Sequence, residues 1–200
     1  MILKIVQVGE PILRQRARPL GPAEIRSHRI QKLLSDMRET MRDAPGVGLA
    51  APQVGEALQL FVVEDREDYL QNVSLDRIEL LERAPVSFHV LVNPKLTVVG
   101  DAKAEFFEGC LSFKGFMGLV PRALEVHVDA LDERGEPVSI NARGWYARIL
   151  QHETDHLNGV VCVDRMVLRT LTTVENHDAH WADSNADEVR RVLEASGQLD

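Results

Sequence analysis

Cysteine is scarce in this 200-residue chain: Cys110 and Cys162 are the only two. A small secreted domain that depends on disulfides uses more, so the sequence points to a reducing compartment and a core that stands without covalent staples. An excess of positive charge is also missing. The net charge is -8, which argues against direct nucleic-acid binding, because neutralising phosphates needs clustered Lys and Arg. The acidic residues are spread along the chain, where they favour solubility. Long apolar runs are absent, and no stretch approaches the roughly 18 residues of a membrane span. The segment Met1 to Gly9 has a short apolar run but no basic leader, and it reads as a strand or docked arm rather than a signal peptide. No repeat, low-complexity tract or convincing linker divides the sequence. These absences leave one soluble, cytoplasmic domain over residues 1–200, with no membrane partner.

Apolar residues make up 44% of the chain, enough for a real core. Pro22 opens a first helix, in which Ile30, Leu33, Leu34, Met37 and Met41 recur at steps of three and four until Asp43-Ala44-Pro45-Gly46 ends it. Leu58 to Val63 reads as a strand, residues 64 to about 86 as an acidic insertion, and Phe88 to Val92 as a strand stopped by Asn93-Pro94. Leu124 to Asp129 alternates as a half-buried strand, and Glu133 to Glu136 turns the chain into Pro137-Val138-Ser139-Ile140. From Gly144 to Leu157 the period becomes helical, closed by Asn158-Gly159. Ala186 to Ala195 forms a C-terminal amphipathic helix with Val189, Val192 and Leu193 inward. The resulting class is α+β: mostly antiparallel sheet packed around a central helix.

That helix carries His152-Glu153-Thr154-Asp155-His156. Histidines four apart sit one turn from each other, about 6 Å between Cβ atoms, so both rings reach one metal ion. Glu153 projects roughly 100° round the helix, where a base acting on water at the metal belongs. Trp145, Ile149, His152 and His156 share one stripe, which puts the ligands in apolar surroundings. Two histidines do not complete a hydrolytic site, and a thiolate would make a Cys/His/His set with room for water. Cys110 is the stronger candidate, because Gly109 beside it allows close backbone approach. Cys162 reads as a buried structural cysteine, although spacing alone does not separate the two. Asp155 reads as the carboxylate that takes a ligand histidine's other N–H, paired with Arg122. His28, His89, His127, His177 and His180 read as structural or surface residues, with the His177–His180 cluster solvated in a polar tail. Gly46-Val47-Gly48 is no phosphate loop, since the Lys and Ser/Thr of that motif are absent.

Three ordered segments, Gly46 to Gln53, Glu108 to Ser112 and Gln151 to Gly159, resemble the three motifs of peptide deformylases: Gly-Val-Gly-Leu-Ala-Ala-Pro-Gln, Glu-Gly-Cys-Leu-Ser and Gln-His-Glu-Thr-Asp-His-Leu-Asn-Gly. The resemblance extends from about Ile5 to Met166. It implies a hydrolase that removes the N-formyl group from N-formyl-methionyl nascent peptides and releases formate. Cys110, His152 and His156 would hold one divalent ion, Fe²⁺ by resemblance, with Ni²⁺, Co²⁺ or Zn²⁺ able to replace it. Glu153 would act as base and then acid, with Gln53 and the N–H of Leu111 as oxyanion donors. Gly46, Val47 and Gly48 would form a strand edge for the substrate. Trp145 and Ile149, with Val47 and Leu111, would wall the methionine pocket. Gly144 to Leu150 and the insertion resemble the subgroup shared by some bacteria and organelles. Phe113-Lys114 departs from the Val-Pro of many relatives and bears on the pocket rim.

A zinc endopeptidase shares the His-Glu-x-x-His chemistry but should carry a third His or Glu ligand downstream, and none stands out here. A structural metal site in a binding module would need a fourth strong protein ligand and no task for Glu153. Transient ribosome contact suits the timing of deformylation, yet no basic docking helix is visible.

Overall fold

A computed structural model describes residues 1–71 and 73–195. The helices are α1 (Pro22–Ile25), α2 (His28–Asp43), α3 (Glu67–Leu70), α4 (Leu75–Leu81), α5 (Gly144–Leu157), α6 (Cys162–Arg165), α7 (Val174–His180) and α8 (Ala186–Ala195). The strands are β1 (Gly48–Ala50), β2 (Leu60–Asp65), β3 (Val86–Gly109), β4 (Phe116–Leu131), β5 (Pro137–Arg143) and β6 (Thr172–Thr173). They form a six-stranded sheet in the order β1-β2-β3-β4-β5, with β6 on the free part of β4. Every ladder is antiparallel, and short turns join β3 to β4 and β4 to β5. The fold is α+β.

The run Leu60-Phe61-Val62-Val63 is apolar at every position because both of its faces are covered. Phe61, Val63 and Leu91 pack with Ala147, Ile149 and Leu150 of α5. Leu60, Val62, Val90 and Val92 face the other way, onto Ile30, Leu34, Met37 and Met41 of α2. The alternation of side chains along a strand thus joins two cores through one sheet.

Some boundaries differ from the sequence reading. The first helix is two: Pro22 starts a single turn, and the Ser27 hydroxyl then caps α2 by accepting from the Ile30 N–H. Asn93-Pro94 does not end a strand. Asn93 takes a left-handed φ of 52° at a register shift, and β3 continues beyond it for the length of the β4 hairpin. The Asn93 side chain holds this bulge, accepting from the Leu20 N–H at 2.9 Å and donating to the Leu20 carbonyl at 2.8 Å. A second shift between Val99 and Lys103 re-aims the strand, so its last residues end at Cys110. The N-terminal segment is an arm, not a strand: its Val6 and Val8 N–H groups donate to the carbonyls of Gln53 and Ser112.

The C-terminal helix occupies Ala186–Ala195. Its Val189 is buried beside Phe107 and Leu119, on the hairpin that leads to Cys110. His177 is not solvated. It lies on α7, buried, with its ring edge-on to Phe107 at 4.8 Å between centroids.

Candidate functional site

The site is assembled by α5, the end of β3 and the segment around β1. Helix α5 is fastened to the sheet by Gln151, whose amide oxygen accepts from the Ala123 N–H at 2.9 Å and whose nitrogen donates to the Ala123 carbonyl at 2.8 Å. The helix stops at Asn158 and turns through Gly159, with φ 77°. A Cβ at Gly159 would stand 2.7 Å from the Arg14 carbonyl oxygen, so only glycine fits there.

His152 and His156 point one ring nitrogen each at a common place, Nε2 to Nε2 at 3.2 Å. The Cys110 Sγ lies 3.3 Å from His156 Nε2, and the three donor atoms fall within 4.8 Å of one another. Tetrahedral ligands with bonds of about 2.0 to 2.3 Å stand roughly 3.3 to 3.7 Å apart. The thiol and imidazoles therefore fit one divalent ion.

The carboxylate that orients His152 is Glu108, not Asp155. Its Oε1 accepts from His152 Nδ1 at 2.7 Å, which leaves Nε2 free to face the other donors. Glu108 is buried, yet its carboxyl is held far below the usual carboxylate range. Burial opposes the charge, but His152, Arg122 and Arg148 outweigh it. Arg122 also donates to Asp155, the pair expected from the sequence, and Arg165 completes that carboxylate at 2.8 Å. Asp155 thus braces the helix through arginines and touches neither ring. His156 Nδ1 is buried with no hydrogen-bond partner among the described residues.

Glu153 is buried against the backbone of Gly48. A Cβ on Gly48 would meet Glu153 Oε1 at 2.3 Å, so the absent side chain is what gives the carboxylate its place. Its Oε2 is buried without a hydrogen-bond partner among the described residues. Burial pushes the Glu153 carboxyl up to about 7, against the opposing pull of His152. The Gln53 amide has a defined orientation: Oε1 accepts from the Ala50 N–H at 2.8 Å, which turns Nε2 toward Cys110 Sγ at 3.6 Å and Ser112 Oγ at 3.3 Å. A donor is therefore aimed at the thiol side of the site. Leu111 follows Cys110, and its carbonyl accepts from Gln7 Nε2 at 3.0 Å, so the N-terminal arm pins the loop.

Cys110, His152, Glu153 and Gln53 open onto a cleft of about 900 Å³. Gly46, Val47, Gly48, Leu111, Trp145 and Ile149 line it, together with Gln53, Cys110, His152 and Glu153. Phe113 and Lys114 lie farther along the same wall, with Phe113 stacked on Phe116 at 5.4 Å. The structure thus brings together every site residue expected from the sequence; His156 does not line the cleft but is buried beside it, within reach of both other donors.

Three residues of this neighbourhood carry no task in the sequence reading. Glu108 stands two places before Cys110, Arg148 four before His152, and Gln151 directly before it. The Arg148–His152 spacing of one helical turn was the available signal, since it lets both side chains reach the same carboxylate.

The family model for polypeptide deformylase matches residues 2–171. The chain is 49% identical over 180 residues to peptide deformylase 1A, chloroplastic/mitochondrial, of Arabidopsis thaliana, covering 90% of this chain and 67% of that one. It is 43% identical over 182 residues to peptide deformylase 1 of Bifidobacterium longum, covering 91% and 81%. Among the plant relatives it spans about two thirds of their length. The Met-Ala-Ser-bound crystal structure of a class I type b peptide deformylase from Acinetobacter baumannii superposes with a TM-score of 0.73 at 33% identity, over 83% of this chain and 99% of that one. With sequence, fold and a Cys/His/His site in agreement, the chain belongs to the peptide deformylase family of metal-dependent hydrolases.

Proposed function

We propose that this chain hydrolyses the N-formyl group of formyl-methionyl peptides, with Cys110, His152 and His156 holding the metal and Glu153 moving the proton. The observation that carries the reading is the convergence of a buried carboxylate, an aimed amide donor and the three ligand atoms in one cleft. When bound, the ion would supply Lewis acidity, lowering the pKa of water towards about 7. Fe²⁺ is our choice of ion on family resemblance; the donor set also suits Ni²⁺, Co²⁺ and Zn²⁺.

Glu153, buried beside the ligand atoms, takes the proton from the attacking water and returns it to the leaving amine nitrogen. Gln53 Nε2 and the Leu111 N–H donate to the oxygen that gains charge as the formyl carbon becomes tetrahedral. The C–N bond then breaks, and formate and the free amine leave. The edge at Gly46, Val47 and Gly48 takes the peptide backbone as an added strand. Val47, Leu111, Trp145 and Ile149 receive the methionine side chain. Residues 1–200 act as one catalytic unit in this reading, supported by the packing of α8 behind the hairpin that ends at Cys110. A cytoplasmic setting fits the two unpaired thiols, and no described helix is long and apolar enough to cross a membrane. Transient contact with the ribosome is proposed beside it, from the timing of deformylation alone.

Formate release from a formyl-methionyl tripeptide by the Fe²⁺- or Ni²⁺-loaded chain tests it. Glu153→Ala should lower kcat by about 10²- to 10⁴-fold while the ion stays bound. Release at the parent rate by that variant would remove Glu153 from the mechanism, and no release by the loaded parent would remove the reaction.

A further inference from the structure

The chain has only two cysteines, and the fold packs both into one cluster. Cys110 lines the cleft, while Cys162 is 1% exposed at the start of α6, in a cluster with Val120 and Met166. Cys110 and Phe113 pack on that cluster, which places both cysteines in one small apolar group. One sulfur is thus open to a small solute, and the other waits beneath it, shielded from solvent. The reaction proposed above gives Cys162 no task.

We propose that Cys162 is a resolving thiol: a hydroperoxide converts Cys110 and Cys162 into a disulfide and so releases the metal reversibly. This rests on Cys110 being a metal ligand. The Cys110 sulfur attacks a peroxide oxygen and the O–O bond breaks, giving a sulfenic acid while the peroxide remnant leaves as water or alcohol. The Cys162 sulfur then attacks the sulfenic sulfur. An S–S bond forms, the S–O bond breaks, and the hydroxyl leaves as water with the Cys162 proton. Two electrons pass in total from the thiol pair to one peroxide. The Cys110 sulfur is no longer a thiolate, so His152 and His156 remain alone and the ion departs. A dithiol reductant regenerates both thiols. Without Cys162, further peroxide would carry the sulfenic acid to the sulfinic acid, which thiols do not reverse.

The test treats the metal-loaded full chain with hydrogen peroxide in the presence of a chromogenic chelator, followed by intact-mass measurement and non-reducing peptide mapping. The expected result is a Cys110–Cys162 linked peptide, a chain lighter by two hydrogens, and metal released in step with the linkage. Dithiothreitol followed by fresh metal should restore binding. Cys162→Ala should bind metal and release formate normally before peroxide, then gain two oxygens on Cys110 and fail to recover. Metal release without the linked peptide would overturn the proposal. So would linkage with the metal retained, or recovery of Cys162→Ala equal to the parent. The mapping on the parent chain stands whether or not the variant folds. Because mass and metal are read apart from deformylation, a chain that forms the bridge and loses metal but frees no formate fails only the functional reading.

Discussion

Gly48 and Glu153 are legible separately in the sequence, but their contact is not. The glycine belongs to a strand edge and the glutamate to a helix more than a hundred positions later, and no local pattern ties one to the other. The fold places the carboxylate where a Cβ on Gly48 would stand, at 2.3 Å. Gly48→Ala should therefore displace Glu153 and lower formate release by about 10²- to 10⁴-fold, the range for losing a positioned base, while metal content is unchanged. Steady-state kinetics beside metal analysis check this, and a parent-like kcat/KM would mean that Glu153 works from another position. Glu108 shows the same limit of local reading. It is one of many acidic residues in the sequence, and only burial with Arg122, Arg148 and His152 reveals that it orients a ligand. A carboxylate so enclosed keeps its charge because every oxygen is paired.

At the scale of elements, β3 and α5 meet through His89 and Tyr146. His89 Nδ1 lies 2.8 Å from the Ser87 carbonyl and so carries its proton there, leaving Nε2 to accept from the Tyr146 hydroxyl at 2.8 Å. This arrangement uses the neutral ring, and burial holds the His89 pKa below its ordinary 6.5. Above that pH the folded and unfolded chains both carry neutral His89 and the contribution to stability is complete. Below it, the unfolded chain binds a proton that the folded one resists, so stability falls until the lowered folded pKa is reached. Urea midpoints measured from pH 7.5 down to pH 5 should show a steeper loss for the parent than for His89→Gln. Parallel curves would exclude His89 as a source of the pH dependence. The elements themselves were largely readable: α5 follows from helical period and its Asn158-Gly159 stop, α8 from period alone, although Val192, read as inward, is exposed, and β2 shows as an unbroken apolar run. The continuation of β3 past Asn93 was not, because a bulge depends on a cross-chain bond to Leu20 that no window of sequence contains.

The whole molecule closes the site by bringing distant segments together: an N-terminal arm pinned at Gln53 and Ser112, a hairpin delivering Cys110, and a helix delivering two histidines. An ion shared by the last two should hold them together as well as serve chemistry. Stripping it with a chelator should lower Tm by roughly 5 °C or more, since binding at a hundred times Kd contributes about 2.7 kcal/mol and each kcal/mol moves a chain of this size by about 2–4 °C. Calorimetry with and without the ion tests this; an unchanged Tm would mean that the three donors do not grip it in the folded state. The sequence by itself determined the α+β class, which rests on periodicity and turn signals, and the family, which rests on three ordered motifs; it singled out Cys110, His152, His156 and Glu153 as candidates through residue type, short spacing and that resemblance. Only the tertiary structure decided that Glu108 rather than Asp155 orients His152, that Gly48 makes room for Glu153, that His177 is buried, and that Cys162 lies against Cys110. Each of these is a contact between residues far apart in the chain, and such contacts exist only once packing has placed their backbones within a few ångströms.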